Sequence, residues 1–246
     1  MTKANTGPRQ RVALVFGGSR GIGAAVAERL AADGFAVALT YATRADKADA
    51  VVRAIGKSGG SALAIAADSA DPVALRAAVD RTVASFGGLD VAVINAGVYR
   101  SGPIDTFSVA DLDLILQINV RGVFLAIQAT AAEMRDGGRI VAIGSNTADR
   151  PSGGSAAYAM SKAAVAAMVK GIALDLAPRR ITVNTVQPGP TETDLTSGFI
   201  ATLQNASPLG RAGKPSEIAG LVAYLAGPEA DYVTGASLTI DGGFSL

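Results

Sequence analysis

Val12-Ala-Leu-Val-Phe-Gly-Gly-Ser-Arg-Gly-Ile-Gly23 is the segment that decides how the rest of the chain is read. Its first five residues form an unbroken apolar run, the pattern of a strand covered on both faces. Two glycines follow. Ile22, Val26 and Leu30 then recur at helical spacing, and Gly34 closes the helix. A buried strand, a glycine turn and a helix, in that order, bring free N–H groups and the positive end of a helix dipole to one place. The spacing is G-x-x-x-G-x-G, over Gly17, Gly21 and Gly23, rather than G-x-G-x-x-G. A tight turn alone would also use glycine. The position between a first strand and a first helix favours a pyrophosphate cradle made by Gly17, Ser19, Arg20, Gly21, Ile22 and Gly23.

The same alternation continues outward from this segment. Strands are expected at 36–41, 62–66, 89–94, 139–143, 181–186 and 237–240. Helices are expected at about 45–57, from Asp71-Pro72 to just before Gly87-Gly88, at about 109–134 and at 157–176. Short glycine-marked joins between strand and helix call for right-handed crossovers. The expected fold class is therefore α/β: a single-domain Rossmann fold, with a doubly wound parallel sheet of about seven strands and helices on both faces. Nothing reads as a linker, so 1–246 is expected to be one dinucleotide-binding domain. Residues 1–10 read as a frayed tail. Residues 188–215, with four prolines, read as a substrate loop or lid, in which Leu195, Phe199 and Ile200 would supply apolar contacts.

Composition narrows the chemistry. The 246 residues include no cysteine, histidine or tryptophan. That excludes disulfides, thiolate nucleophiles, iron–sulfur clusters, zinc held by Cys or His, and the Ser-His-Asp triad. No metal site is expected, and acid–base work falls to Tyr, Lys, Asp, Glu or Ser. The net charge is +1, with 16 Arg and 6 Lys dispersed, which favours neither nucleic acid nor a membrane surface as a partner. No uncharged apolar run is long enough to span a bilayer, and no leader is evident, so a cytoplasmic location is expected.

Candidate groups lie at the ends of the expected strands. Tyr158 and Lys162 are four apart at the start of a long helix, so a phenol and an ammonium share one face. A cation beside a phenol is expected to lower its pKa from about 10. Ser145 follows the fifth strand, where a hydroxyl can hold a carbonyl oxygen, and Asn95-Ala96-Gly97 closes the fourth. Asn119 interrupts an apolar helix face, as a structural hydrogen-bonder or as part of a water chain. The second strand ends Tyr41-Ala42-Thr43-Arg44 with no acid before Asp46. Arg20 and Arg44 suit a ribose 2′-phosphate better than a bare 2′-hydroxyl; the alternative is two solvated surface arginines.

Taken together, these motifs resemble the short-chain dehydrogenase/reductase family, over about Arg11 to Leu246. The family's T-G-x-x-x-G-x-G loop matches Phe16 to Gly23, with Phe16 in place of Thr. Its N-A-G motif matches Asn95 to Gly97, and its P-G-x-x-x-T motif falls on Pro188, Gly189 and Thr193. Its catalytic Asn, Ser, Tyr and Lys fall on Asn119, Ser145, Tyr158 and Lys162, and the acid beside the adenine falls on Asp68. Gly144 stands where a Ser is usual, and Phe16 removes a hydroxyl that braces the loop.

The resemblance implies an NADPH-dependent oxidoreductase that reduces a ketone or aldehyde to an alcohol, of the bacterial carbonyl reductase or 3-oxoacyl-carrier-protein reductase type. Tyr158 would give the proton, and Lys162 would lower its pKa and hold the nicotinamide ribose. Ser145 would orient the substrate oxygen, Asn119 would anchor a relay water and Thr193 would hold the carboxamide. The implied cofactor contacts also include Tyr41, Ala42, Thr43, Arg44, Asp68, Ser69, Asn95, Ala96, Gly97, Pro188, Gly189 and Thr191. Family members are commonly homotetramers. Gly17 to Ala25, Asp68 to Asp71, Ile143 to Ser145, Val186 to Pro190 and Ala226 to Ala230 are also similar to a family member that binds cyclic-di-GMP. A regulatory cyclic-di-GMP binder on the same fold is the alternative.

Overall fold

The computed structural model of the chain describes residues 9–198 and 200–246. Its strands are β1 (Val12–Phe16), β2 (Ala36–Tyr41), β3 (Ala62–Ala66), β4 (Leu89–Ile94), β5 (Met134–Ile143), β6 (Thr182–Pro188) and β7 (Ser237–Ile240). They form one parallel sheet in the order β3-β2-β1-β4-β5-β6-β7. The order reverses between β1 and β4, which opens a crevice at the carboxyl ends of those strands.

Alternation along each strand feeds two cores. Val12, Leu14 and Phe16 point to the face covered by α3 (Pro72–Phe86), α5 (Val123–Glu133) and α6 (Ala156–Leu176). Ala13 and Val15 point to the face covered by α1 (Gly21–Ala32), α2 (Ala45–Lys57) and α8 (Pro215–Ala226). The doubly wound α/β fold expected from the sequence is thus the observed one.

The differences are local. Helix α8 has no counterpart in the sequence reading; it starts with Pro215 at its first position and its Glu217 carboxylate accepts from the Lys214 N–H at 2.7 Å. Strand β6 runs on to Pro188, whose partner in β7 is Ile240. The expected loop 188–215 contains a helix, α7 (Ile200–Ala206), and its ends are tied by a bridge between Thr191 and Gly213. Phe199 lies outside the described residues, as do residues 1–8 of the expected tail. Arg9 and Gln10, also assigned to that tail, are anchored: Arg9 pairs with Asp90 at 2.8 Å, and Gln10 donates to the Gly34 carbonyl at 3.3 Å.

The expected helix at 109–134 is continuous but not uniform. Between α4 (Val109–Ile115) and α5 the turn widens to a π-helical stretch, Leu116–Gly122, which carries Asn119. Such widenings often mark functional positions. Two helical runs, Val109–Glu133 and Ala156–Arg179, are long and apolar enough to cross a membrane by length and composition, a feature the sequence reading did not register. Each lays one stripe on the sheet, through Val123, Ala126 and Ile127 or Val165, Val169 and Ala173. Leu116, Phe124 and Met160 remain exposed.

Gly144 is required by its surroundings. A Cβ there would lie 2.7 Å from Thr185 Cγ2 and 3.2 Å from Gln187 Cγ, on the neighbouring strand. Restoring the family's usual residue with Gly144→Ser should therefore destabilise the fold by about 1–3 kcal/mol, the ordinary cost of overpacking. Urea denaturation measures this; an unchanged midpoint would show that β6 yields freely.

Candidate active site

The crevice at the strand reversal is a cleft of about 440 Å³. The glycine loop forms one wall. Gly17 has φ +71°, and a Cβ on Gly23 would sit 2.1 Å from the Gly17 carbonyl oxygen, so neither position accepts a side chain without displacing the loop. Gly23 consequently packs behind the loop instead of lining the cleft. Phe16 is fully buried in the core. The hydroxyl expected to be lost there is supplied from elsewhere. Thr40 Oγ1 on β2 accepts the Gly17 N–H at 3.0 Å, and Asn95 Nδ2, just past the end of β4, donates to the Gly17 carbonyl at 2.8 Å. Thr40 was not singled out from sequence; a lone threonine in an apolar strand beside a glycine loop is the signal that marks it.

Ser19, Arg20, Gly21 and Ile22 line the cleft, and among the described residues α1 has no side-chain cap at its start. This cradle, with bare backbone at a helix N-terminus, fits a pyrophosphate. Tyr41, Ala42, Thr43 and Arg44 line the next section, followed by Asp68, Ser69 and then Asn95, Ala96 and Gly97. Asp68 is partly used within its own turn, accepting the Ala70 N–H at 2.9 Å. Thr40, Ala67, Val98, Ile118, Asp194 and Leu195 also line the cleft and were not among the expected cofactor contacts. Arg20 and Arg44 are exposed, and each has an acidic neighbour. Arg44 makes a two-pronged pair with Asp46 at 2.9 and 2.8 Å, and Arg20 lies 3.6 Å from Asp194.

Of the P-G-x-x-x-T residues, Thr193 reaches the cleft wall. Pro188, Gly189 and Thr191 do not line it; they hold the loop's root. The Gly189 N–H donates to the Ile240 carbonyl at 3.0 Å, and Thr191 Oγ1 donates to the Gly189 carbonyl at 2.9 Å.

The four expected catalytic residues come together beside Gly97 and Val98. Asn119 is fully buried. Its amide grips Val98 at both backbone atoms, accepting the N–H and donating to the carbonyl at 2.9 Å each, and donates to Ser161 Oγ at 3.2 Å. Of the two readings open for Asn119, the structural hydrogen-bonder is the one its contacts describe. Lys162 is 4% exposed and donates from Nζ to the Ile143 carbonyl at 2.9 Å. Its Nζ lies 5.7 Å from the Tyr158 ring centroid. Ser145 Oγ accepts from the Thr147 N–H and hydroxyl at 3.2 and 2.9 Å and is hydrogen-bonded to Tyr158. Tyr99 meets the Tyr158 ring edge-on, with centroids 4.9 Å apart and planes at 80°.

Electrostatics differ from the expectation. Burial pushes the Tyr158 phenol up to about 12, against a smaller lowering by its bond to Ser145. Burial also pushes the Lys162 ammonium down to about 8. Sequence spacing pointed to a phenol lowered by a cation; in the protein, desolvation acts on both groups and disfavours each charged form. The phenol is therefore protonated at neutral pH, which is the form a proton donor needs.

A parallel sheet with the glycine cradle at its reversal, and a Tyr–Lys–Ser–Asn cluster at the strand ends, define a dinucleotide-dependent α/β oxidoreductase. Comparison with known proteins is consistent with that class. A family model described as enoyl-(acyl carrier protein) reductase matches residues 17–245. A short-chain dehydrogenase/reductase from Serratia marcescens superposes with a TM-score of 0.94 at 55% identity, covering 97% of this chain and 99% of that one. A short chain dehydrogenase from Burkholderia cenocepacia, solved in complex with NADP, gives 0.93 at 50% identity over 97% and 99% of the two chains. The cyclic-di-GMP-binding biofilm dispersal mediator protein of Escherichia coli is 43% identical over 95% of this chain and 97% of its own. The chain belongs to the short-chain dehydrogenase/reductase family.

The buried cation makes the site a strained one. Below pH 8 Lys162 is charged folded or unfolded, and the folded state bears the whole desolvation cost, on the order of 3 kcal/mol. Between about pH 8 and 10.5 the unfolded chain holds more protons, so stability rises with pH and the cost disappears. Lys162→Met should accordingly raise the melting temperature at pH 7, by an amount that shrinks through that window. Loss of the bond to Ile143 subtracts about 1 kcal/mol. A lower melting temperature at pH 7 would show that this bond outweighs desolvation.

Proposed function

We propose that the protein is an NADPH-dependent carbonyl reductase, acting on a ketone or aldehyde and yielding an alcohol. The observation that carries this reading is the buried cluster of Tyr158, Ser145 and Lys162 beside the glycine-loop cleft. NADPH, when bound, supplies the hydride. The protein's own residues supply a proton and a shaped site. Tyr158 holds the proton on its phenol oxygen and gives it to the substrate oxygen. Ser145, oriented by Thr147, donates a hydrogen bond to that same oxygen and favours the charge that grows there. Lys162 places a positive charge under the phenol as its proton leaves and offers Nζ to ribose hydroxyls. Asn119, by gripping Val98, fixes the backbone beside Gly97 at the edge of the cleft. The cradle from Gly17 to Ile22 would hold the pyrophosphate, Asp68 and Ser69 would flank the adenine, and Thr193 would hold the carboxamide.

The loop from Pro188 to Pro215 serves as a lid, with Leu195 as an apolar contact. Leu116, Phe124 and Met160, each exposed on the two long helices, would offer apolar contacts for self-association, in keeping with a cytoplasmic homotetramer. The name of the Escherichia coli relative supports a second reading, a cyclic-di-GMP binder using the same cleft. Calorimetry with that dinucleotide, beside NADPH consumption with a ketone panel, separates the two.

Tyr158→Phe should lower turnover about 10²- to 10⁴-fold, the usual contribution of a positioned general acid, while NADPH affinity stays within a few fold. Near-normal turnover would remove Tyr158 from the mechanism. Arg20→Ala and Arg44→Ala should each raise the Michaelis constant for NADPH and leave that for NADH nearly unchanged. A charge-assisted pair at this exposed position is weakened by solvent and salt, so an effect of up to roughly tenfold is expected. Equal weakening of both cofactors would show that neither guanidinium reads the 2′-phosphate.

A further inference from the structure

Asp194 stands where its charge has no place in the reading above. It follows Thr193 on the lid, yet it lines the cofactor cleft, together with Arg20, Arg44 and Leu195. Its carboxylate is 3.6 Å from the Arg20 guanidinium, on the opposite wall. It also contributes to the field that raises the Arg44 pKa, behind the larger effect of Asp46. The Asp194 carboxylate is thus paired with Arg20, while the Arg44 guanidinium is held by Asp46. The lid meets the glycine loop at the adjoining residue too, since a Cβ on Gly21 would lie 3.2 Å from Thr193 Cγ2. The Thr193 position is held within the turn by Thr196, whose Oγ1 accepts the Thr193 N–H at 3.1 Å. Asp194 is flanked in the chain by Thr193 and Leu195, which line the same cleft.

We propose that Asp194 is an internal competitor for the 2′-phosphate site and that it couples the phosphate of the cofactor to the position of the lid. The inference rests on the NADPH reading above. The carboxylate and the phosphate seek the same Arg20 guanidinium and repel each other. A cofactor bearing the 2′-phosphate displaces Asp194 from Arg20, and the turn carrying Thr193 and Leu195 shifts with it. A cofactor with a bare 2′-hydroxyl leaves the Arg20–Asp194 pair in place. Asp194 thereby makes NADPH binding weaker than the two arginines alone would allow and ties lid placement, hence substrate binding, to which cofactor is present. Its side chain is 70% exposed and that of Arg20 is 59% exposed, so the effect is that of a surface pair, not a buried one.

The test is the dissociation constant of full-length protein for NADPH, NADH and 2′,5′-ADP, measured at two ionic strengths for the wild type, Asp194→Asn, Asp194→Glu and Arg20→Ala. Asp194→Asn should tighten NADPH and 2′,5′-ADP roughly two- to fivefold and leave NADH unchanged, with the gain smaller at high salt. Asp194→Glu, which keeps the charge, should stay close to the wild type. In steady-state assays, Asp194→Asn should narrow the difference in substrate KM between the two cofactors. An Asp194→Asn protein with an unchanged NADPH-to-NADH ratio, or with both cofactors tightened equally, overturns the proposal. If the wild type shows no preference for NADPH and Arg20→Ala changes nothing, the failure lies in the NADPH reading itself.

Discussion

The hydrogen bond from Asn95 to the Gly17 carbonyl spans the one place where the strand order reverses. It ties the end of β4 to the turn that leaves β1, across 78 residues of sequence. Gly23 lies directly behind that carbonyl, with no room for even a methyl group. Thr40 completes the brace from β2. Three strands therefore fix one peptide turn, and the cleft, the exposed start of α1 and the approach to the catalytic cluster all take their positions from it. A glycine turn is flexible by nature. Here its freedom is spent on a conformation that its neighbours then hold.

The catalytic cluster follows a different logic. Its members are fixed by backbone groups more than by one another. Asn119 is bonded to Val98, Lys162 to Ile143 and Ser145 to the Thr147 turn. Burial then shifts the phenol and the ammonium in opposite directions, so that the two approach neutrality together. Burial in this way favours the neutral phenol on Tyr158, while stability is lower for having an ammonium in the interior. That exchange of stability for readiness is a common property of active sites.

Much of this was legible in order along the chain. The apolar run of β1, the glycine spacing and the repeated strand–helix alternation depend on local rules, and they led to the doubly wound sheet. Tyr158 and Lys162 were legible because a helix brings residues four apart onto one face. What escaped was whatever depends on a second strand or loop. Helix α8 went unread although Pro215 and Glu217 mark its start. Thr40 looked like any polar residue in a strand, and Thr147 like any loop residue. Phe16 read as a lost hydroxyl because the replacement comes from β2. Gly144 read as a departure from the family, and its necessity comes from Thr185 and Gln187 on β6.

The sequence alone determined most of the strands and helices, the class of sheet they build and a phenol and an ammonium suited to acid–base work without histidine. Those properties follow from periodicity and from functional groups that each residue carries wherever it sits. Tertiary structure decided the rest. It raised the Tyr158 pKa where spacing pointed to a lowering, since desolvation depends on what surrounds a group and not on its spacing from a cation. It gave Asn119 a backbone to hold. It also brought Asp194 of the lid against Arg20 of the first turn, 174 residues apart in sequence, because a contact of that span exists only once the sheet between them has formed.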